Sequence, residues 1–140
     1  MSTPEAAKGL KILVVDDNVD SAKIMALLLK MQGHDVQAAF SATSALETAA
    51  TFAPQAVLLD IGLPIMNGYE VAKRLREAPG GDLVTLIAVS GFSDSEHVAR
   101  AEKAGFDEQL VKPVDPASMT KALVAATAAR RNRVASGSTS

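Results

Sequence analysis

Four short apolar segments of this chain each end in polar residues of the kinds that bind magnesium and phosphate. Asp16 and Asp17 follow the first segment, Asp60 the second, Ser90 the third and Lys112 the fourth. Carboxylate oxygens are ligands that magnesium prefers, and a lysine ammonium or a serine hydroxyl can contact phosphoryl oxygens. These groups together could support attack of a carboxylate on phosphorus, with a cation and the lysine neutralising the charge that develops.

The apolar segments themselves predict strands of a parallel sheet. They cover residues 12–15, 56–59, 86–89 and 110–111, and no polar residue alternates with the apolar ones. Such uninterrupted runs are typical of strands that helices cover on both faces. In sheets of this kind, ligands bind beyond the carboxyl ends of the strands, where strand order reverses. The polar residues that end the segments are therefore expected to converge.

The regions between these segments show helical spacing of apolar residues. We expect a first helix over about residues 18–32 that buries Ile24, Leu27, Leu28 and Met31, followed by a weak edge strand over 35–39. Further helices are predicted over 41–52 with Ser41 or Thr43 as cap, after a capping Asn67, over 93–104, and from Asp115 and Pro116 onward. This alternation predicts a doubly wound α/β fold with five strands.

Composition limits the function classes. The chain has 140 residues, 48% of them hydrophobic, no cysteine and a formal charge of -2. These values suit one globular domain, exclude disulfides and thiolate metal sites, and give no electrostatic reason for nucleic-acid binding. No apolar stretch approaches the roughly 20 residues that span a bilayer. We expect a cytoplasmic protein without membrane insertion, with a flexible segment 1–9, a domain 10–131 and a flexible tail 132–140.

Taken singly, each of these polar residues has an ordinary structural explanation. An Asp at a strand end is usually a turn or cap residue, and a serine before a glycine is usually part of a turn. His34 and His97 are interpreted as solvated side chains, and the basic residues near position 130 as charge at a helix end. Only the coincidence of acids, hydroxyl and amine at successive strand ends favours a shared site.

The set Asp16-Asp17, Asp60, Ser90 and Lys112-Pro113 resembles the receiver domain of two-component response regulators. The resemblance extends from about Lys11 to Ala129, and residues 60–68 are similar to that family's loop after the third strand, including its proline and glycine. It implies a flavodoxin-like parallel sheet of strand order 2-1-3-4-5 with helices on both faces.

The resemblance also implies how the site would work. Asp60 would accept a phosphoryl group from a histidine kinase or a histidine phosphotransfer protein, in the presence of Mg²⁺ or Mn²⁺. Asp17 would bind the metal directly, Asp16 mainly through water, and Gly62 through its backbone carbonyl. A downstream effector protein could then read the phosphorylated state.

Further residues are assigned by the same resemblance. Lys112 and Ser90 would contact the phosphoryl group and relay the change to the fourth helix and fifth strand, and the bond before Pro113 would be cis. Gln109 stands where many members of the family carry an aromatic switch residue, so an aromatic switch is not expected. Phe92, by position alone, is expected to restrict the water that hydrolyses the acyl phosphate.

Two other classes of protein are alternatives to the receiver. A magnesium-dependent phosphatase or phosphotransferase with an aspartyl nucleophile would carry two acids two residues apart on the first strand and a cap over its pocket. A flavin-binding protein would need a phosphate-binding loop after that strand, where this chain has acids. For the receiver, both a stand-alone regulator and a part of a hybrid histidine kinase are compatible with the sequence.

Overall fold

The structure, a computed structural model, describes residues 9–61, 68–91, 95–112 and 114–135. Five parallel strands form one sheet in the order β2-β1-β3-β4-β5. The strands are β1 Lys11–Val15, β2 Asp35–Ala39, β3 Ala56–Asp60, β4 Thr85–Ser90 and β5 Glu108–Val111. The doubly wound fold and its strand order are thus confirmed, with β2 at one edge as expected.

Five helices connect and follow the strands. They are α1 Val19–Met31, α2 Ala42–Phe52, α3 Gly68–Glu77, α4 Ser95–Ala104 and α5 Pro116–Ala135, with a short 3₁₀ turn at Gly81–Leu83. The predicted caps are present, because Ser41 accepts a hydrogen bond from the Ser44 amide at 3.1 Å and Asp115 one from the Ser118 amide at 3.2 Å. Asn67 lies outside the described residues. None of the helices in the described ranges is long and apolar enough to cross a lipid bilayer.

Each central strand is buried on both faces, which explains why its sequence shows no polar alternation. Leu13, Val57 and Leu86 pack on one face with residues of α2, α3 and α4. Residues next to these in sequence, such as Ile12 and Ile87, pack on the other face with α1 and α5. The helix residues that close these two cores are Ala45, Val71, Leu75 and Ala101 on the first face and Leu29, Met119 and Leu123 on the second.

The predicted buried face of α1 is confirmed only for Leu28, which is partly buried against the core, and is wrong for its other three residues. Ile24, Leu27 and Met31 are 60%, 58% and 74% exposed, whereas Ala22 and Leu29 are buried against the sheet. Large apolar residues lie on both sides of this helix, and the side with small alanines can approach the strands more closely. Ile24, Leu27 and Met31 therefore form an exposed apolar surface, the outer face of α1.

Two other expectations about single regions need correction. His34 is buried, not solvated, and its Nδ1 accepts a hydrogen bond from the Leu10 amide at 3.2 Å. Burial lowers the pKa of His34. Helix α5 continues to Ala135, four residues past the boundary predicted for the domain, because Ala and Arg are strong helix formers. The side chain of His97 lies outside what the structure describes.

A further correction concerns the amino ends of β4 and β5, where Arg76, Asp107 and Arg130 form the amino-end ion network. Arg76 Nη2 lies 2.8 Å and Arg130 Nη2 2.9 Å from the two carboxylate oxygens of Asp107. The same carboxylate accepts a hydrogen bond from the Leu86 amide at 2.9 Å. Arg130 is thus an almost buried ion-pair partner and not simply charge at a helix end, and the network joins α3, α5 and the sheet.

Candidate functional site

The three predicted acids meet at the carboxyl ends of the two central strands. One carboxylate oxygen from each of Asp16, Asp17 and Asp60 lies within 4.8 Å of the others. Parallel pairing sets Val15 opposite Leu59, so the next residues, Asp16 and Asp60, lie at the same level at the ends of their strands. Asp16 and Asp60 are buried and Asp17 is exposed.

A tight turn after β1 brings the two adjacent acids to the same site. The Asp16 amide still donates to the Ala39 carbonyl at 3.1 Å, and the Asp16 carboxylate accepts from the Asn18 amide at 2.9 Å. Asn18 then caps α1 through the Ser21 amide at 3.0 Å. In a regular strand, neighbouring side chains point to opposite faces, but here the strand has already ended at Val15.

Lys112 completes the cluster from the far edge of the sheet. Its Nζ lies 3.1 Å from a carboxylate oxygen of Asp60 and 3.7 Å from one of Asp16. The Lys112 amide donates to the Ser90 carbonyl at 2.8 Å, which fixes the end of β5 against the end of β4. The Lys112 side chain is partly exposed, so it can contact a group that arrives from solvent.

The cluster carries more negative charge than its lysine can compensate. Burial raises the pKa of Asp16, and the neighbouring Asp60 charge acts in the same direction against the Asn18 amide and Lys112. Burial by itself lowers the pKa of Lys112, but its hydrogen bond to Asp60 and both carboxylate charges outweigh this and raise it. Three ionised acids and one ammonium leave two formal negative charges.

These residues fit a hard divalent cation. The three side chains offer only oxygen atoms, and their short mutual distances suit one small ion that keeps some of its water. The unfavourable burial of Asp16 beside Asp60 is what such a cation would relieve. Gly62, expected to add a backbone carbonyl, lies outside the described residues.

The remaining predicted site residues surround this cluster or fall outside the description. Ser90 ends β4 and is buried, directly after Val89, which pairs with Asp60. Gln109 lies on β5 opposite Ala88 and is half-buried. Phe92 and Pro113 lie outside the described residues, so neither the proposed water barrier nor the cis bond can be described.

The sequence matches a known protein family and several curated proteins. The family described as the response regulator receiver domain matches residues 12–124. The DNA-binding response regulator MtrA of Mycobacterium tuberculosis is 36% identical over 123 residues, which are 88% of this chain and 51% of MtrA. An uncharacterized 14.6 kDa protein of Leptolyngbya boryana is 33% identical over 80% of this chain and 86% of its own. The chain thus spans about half the length of MtrA.

Solved structures show the same architecture. A CheY-like response regulator receiver domain protein from Methanospirillum hungatei is 25% identical, with a TM-score of 0.80 over 90% of this chain and 99% of that one. A response regulator described as putative, from Chloroflexus aurantiacus, is 27% identical, with a TM-score of 0.80 over 86% and 99% of the two chains. Sheet order and helix placement agree with these folds.

Proposed function

This chain belongs to the response regulator receiver domain family, whose function is phosphoacceptance in two-component signalling, and we propose that Asp60 is the residue phosphorylated. The observation that carries this assignment is the position of Asp60 between Lys112, 3.1 Å away, and the two acids after β1. Asp16 is less suited to attack phosphorus, because its carboxylate already accepts the Asn18 amide.

In the proposed reaction, a carboxylate oxygen of Asp60 attacks the phosphorus of a phosphohistidine. The new bond is O–P, the N–P bond to the donor breaks, and the leaving imidazole nitrogen takes up a proton. Lys112 stabilises the phosphoryl oxygens as charge develops, because its ammonium already lies against Asp60. Mg²⁺ or Mn²⁺, held by Asp16, Asp17 and Asp60, would neutralise the remaining negative charge.

The phosphorylated state differs from the free state mainly in charge at the end of β3. A phosphoryl group brings a charge of about -1.5 to -2 and new acceptor oxygens where one carboxylate stood. Lys112 and the Ser90 hydroxyl would bind these oxygens, and the Lys112 amide links their strand ends through the Ser90 carbonyl. We assign the response to β5 and α4, since β5 is an edge strand paired only with β4.

The phosphoryl donor in this proposal is a histidine kinase or a histidine phosphotransfer protein. The outer face of α1 is the surface that we assign to it. This helix begins two residues after Asp17, so a partner on Ile24 and Leu27 would hold its histidine close to the acids. Exposed apolar side chains in a contiguous group often mark such contacts.

We also propose how this domain relates to a longer protein, to a downstream partner and to its place in the cell. Because the chain spans about half of MtrA, it is either a regulator of its own or a piece of a larger one, such as a hybrid kinase. A downstream effector protein would read the β5 and α4 surface. We place this activity in the cytoplasm, without direct contact to nucleic acid and without catalysis on a diffusible substrate.

Incubation with acetyl phosphate and Mg²⁺ tests the assignment of Asp60. The wild-type protein should gain one phosphoryl group that is stable in acid and labile in base, detected by intact mass. Asp60→Asn should gain none, while the matched control Asp20→Asn, an exposed acid in the first turn of α1, should be labelled normally. Equal labelling of Asp60→Asn would contradict the assignment, and continuous turnover of acetyl phosphate without a stable adduct would favour the phosphatase alternative.

A further inference from the structure

A large cavity opens at the amino ends of β3 and β4, at the opposite end of the strands from the acidic cluster. Its volume is about 810 Å³, within the range of about 300–1,000 Å³ that is usual for small-molecule sites. The residues that surround it come from α2, the end of α3, the glycine-containing turn 79–81, the first residues of β3 and β4, and α5. We call it the amino-end cavity.

The walls of this cavity are apolar and fixed by contacts outside it. Leu46, Val57 and Leu75 line it with several alanines. Arg76 of the amino-end ion network donates a hydrogen bond at 2.7 Å to the carbonyl of Gly81, a wall residue. A side chain at Gly81 would collide with the Leu75 carbonyl, so the turn packs directly on the end of α3. The cavity is therefore held open by the fold and is not a gap between loose loops.

The lining of this cavity also contains polar residues. Thr127, on α5, is 5% exposed, and among the described residues its hydroxyl finds no hydrogen-bond partner. Burial of an unbonded hydroxyl is unfavourable, but this hydroxyl has almost no accessible surface and therefore lies behind the cavity wall, out of reach of a ligand. Arg74 and Arg131 stand in the same lining, and the described residues that line it include no acid.

From these observations we propose that the amino-end cavity binds a small amphipathic monocarboxylate, with its hydrocarbon body between α2 and α3. Arg131, on α5, would donate to the carboxylate oxygens and supply the positive charge. Arg74 is a weaker candidate, because Glu70 already holds it at 3.3 Å. This site is separate from Asp60, although Val57 lies on the strand that Asp60 ends.

Octanoate is a suitable probe, with octanol as its uncharged counterpart. Titration of the ¹⁵N-labelled protein should shift the amide signals of Leu83, Val84 and Thr127 with octanoate, and much less with octanol. Arg131→Gln should weaken octanoate binding by about tenfold, whereas Lys121→Gln, an exposed cation elsewhere on α5, should leave it unchanged. Equal binding of octanol and octanoate, or wild-type affinity in Arg131→Gln, would overturn the proposed carboxylate.

Two further variants separate binding from folding. Thr127→Val should raise the melting temperature, since it removes an unbonded buried hydroxyl, and should leave octanoate affinity unchanged, because that hydroxyl is not accessible from the cavity. Ala50→Phe adds bulk at an exposed position of the lining and should abolish the shifts without loss of fold. Wild-type affinity in Ala50→Phe, or shifts spread over the whole protein, would overturn the site. Phosphorylation of Asp60 is a separate readout and should proceed in both.

Discussion

The two charged clusters of this molecule lie at opposite ends of the same sheet and are built in opposite ways. At the amino end, two arginines surround the Asp107 carboxylate, and each ionic group also has backbone partners. At the carboxyl end, three carboxylates share one lysine, which is itself partly exposed. One cluster is complete within the protein, and the other has an excess of negative charge.

This difference separates a structural cluster from a functional one. Buried ionic groups are tolerated when every partner is present, and the loss of one partner leaves the others uncompensated. The amino-end network meets that condition with protein atoms alone. The acidic cluster would have all of its charges compensated only with a bound cation, so the free energy of unfolding should depend on what binds there. Substitutions in the two clusters are therefore expected to change stability in opposite directions.

The largest effect should follow removal of the centre of the amino-end network. Asp107→Ala would leave Arg76 and Arg130 buried without their carboxylate and should destabilise the fold by about 3–5 kcal/mol. Chemical denaturation measures this loss. Asp82→Ala, an exposed acid nearby, is the matched control and should change stability by less than about 0.5 kcal/mol. A loss of similar size in both variants would mean that the network is not specially stabilising.

Mg²⁺ should stabilise the protein through the acidic cluster. A single site at tenfold excess of ligand over its dissociation constant contributes about 1.4 kcal/mol, and removal of the ion with EDTA should reverse the gain. Thermal unfolding with and without the ion gives the shift. Asp17→Asn should lose most of it, whereas Asp20→Asn should keep it. An equal shift in both variants would point to binding elsewhere.

Asp16→Asn should stabilise the metal-free protein, in contrast to Asp107→Ala. The amide oxygen can still accept from the Asn18 amide, and the substitution removes a buried negative charge beside Asp60. We expect a gain of about 1 kcal/mol without Mg²⁺, together with weaker binding of the ion. Denaturation curves in EDTA give the sign. A clear loss of stability would show that the cluster is already balanced by the protein.

The fold and the acidic cluster could be predicted because each depends on local sequence. Uninterrupted apolar runs identify strands covered on both faces, and the polar residue that ends each run must lie at the carboxyl edge of the sheet. Asp16, Asp60 and Lys112 therefore meet although up to 96 residues separate them in the chain. No knowledge of side-chain packing is needed for that step.

The orientation of α1 and the amino-end network could not be predicted, because both depend on side-chain packing between elements and not on local sequence. Ile24 and Leu27 are as apolar as Leu29, and only close packing of the alanines decides which side faces the strands. Arg76 and Asp107 are 31 residues apart and follow no periodic pattern. A cavity such as the one beside Thr127 depends on the packing of several elements at once, which no single segment determines.

The smallest expected effect is the pH dependence of stability that His34 causes. His34 lies at the amino end of the sheet, like the ion network, and its contribution should differ in sign from that of the acidic cluster at the carboxyl end. Burial lowers the pKa of His34 below its ordinary value of 6.5, so the unfolded chain binds a proton that the folded protein does not. Stability should therefore fall as pH decreases through about 6.5, by at most about 1.4 kcal/mol per pH unit, and level off below the folded-state pKa. Asp16, whose pKa is raised, contributes in the opposite direction, because its protonation favours the folded state.

The variant His34→Asn keeps an acceptor for the Leu10 amide but does not titrate. The difference between its denaturation curves and those of the wild type therefore isolates the contribution of the histidine. If that difference does not change between pH 7.5 and 5.5, His34 is not held neutral by the fold, and the contrast between the two ends would rest on the ion clusters alone.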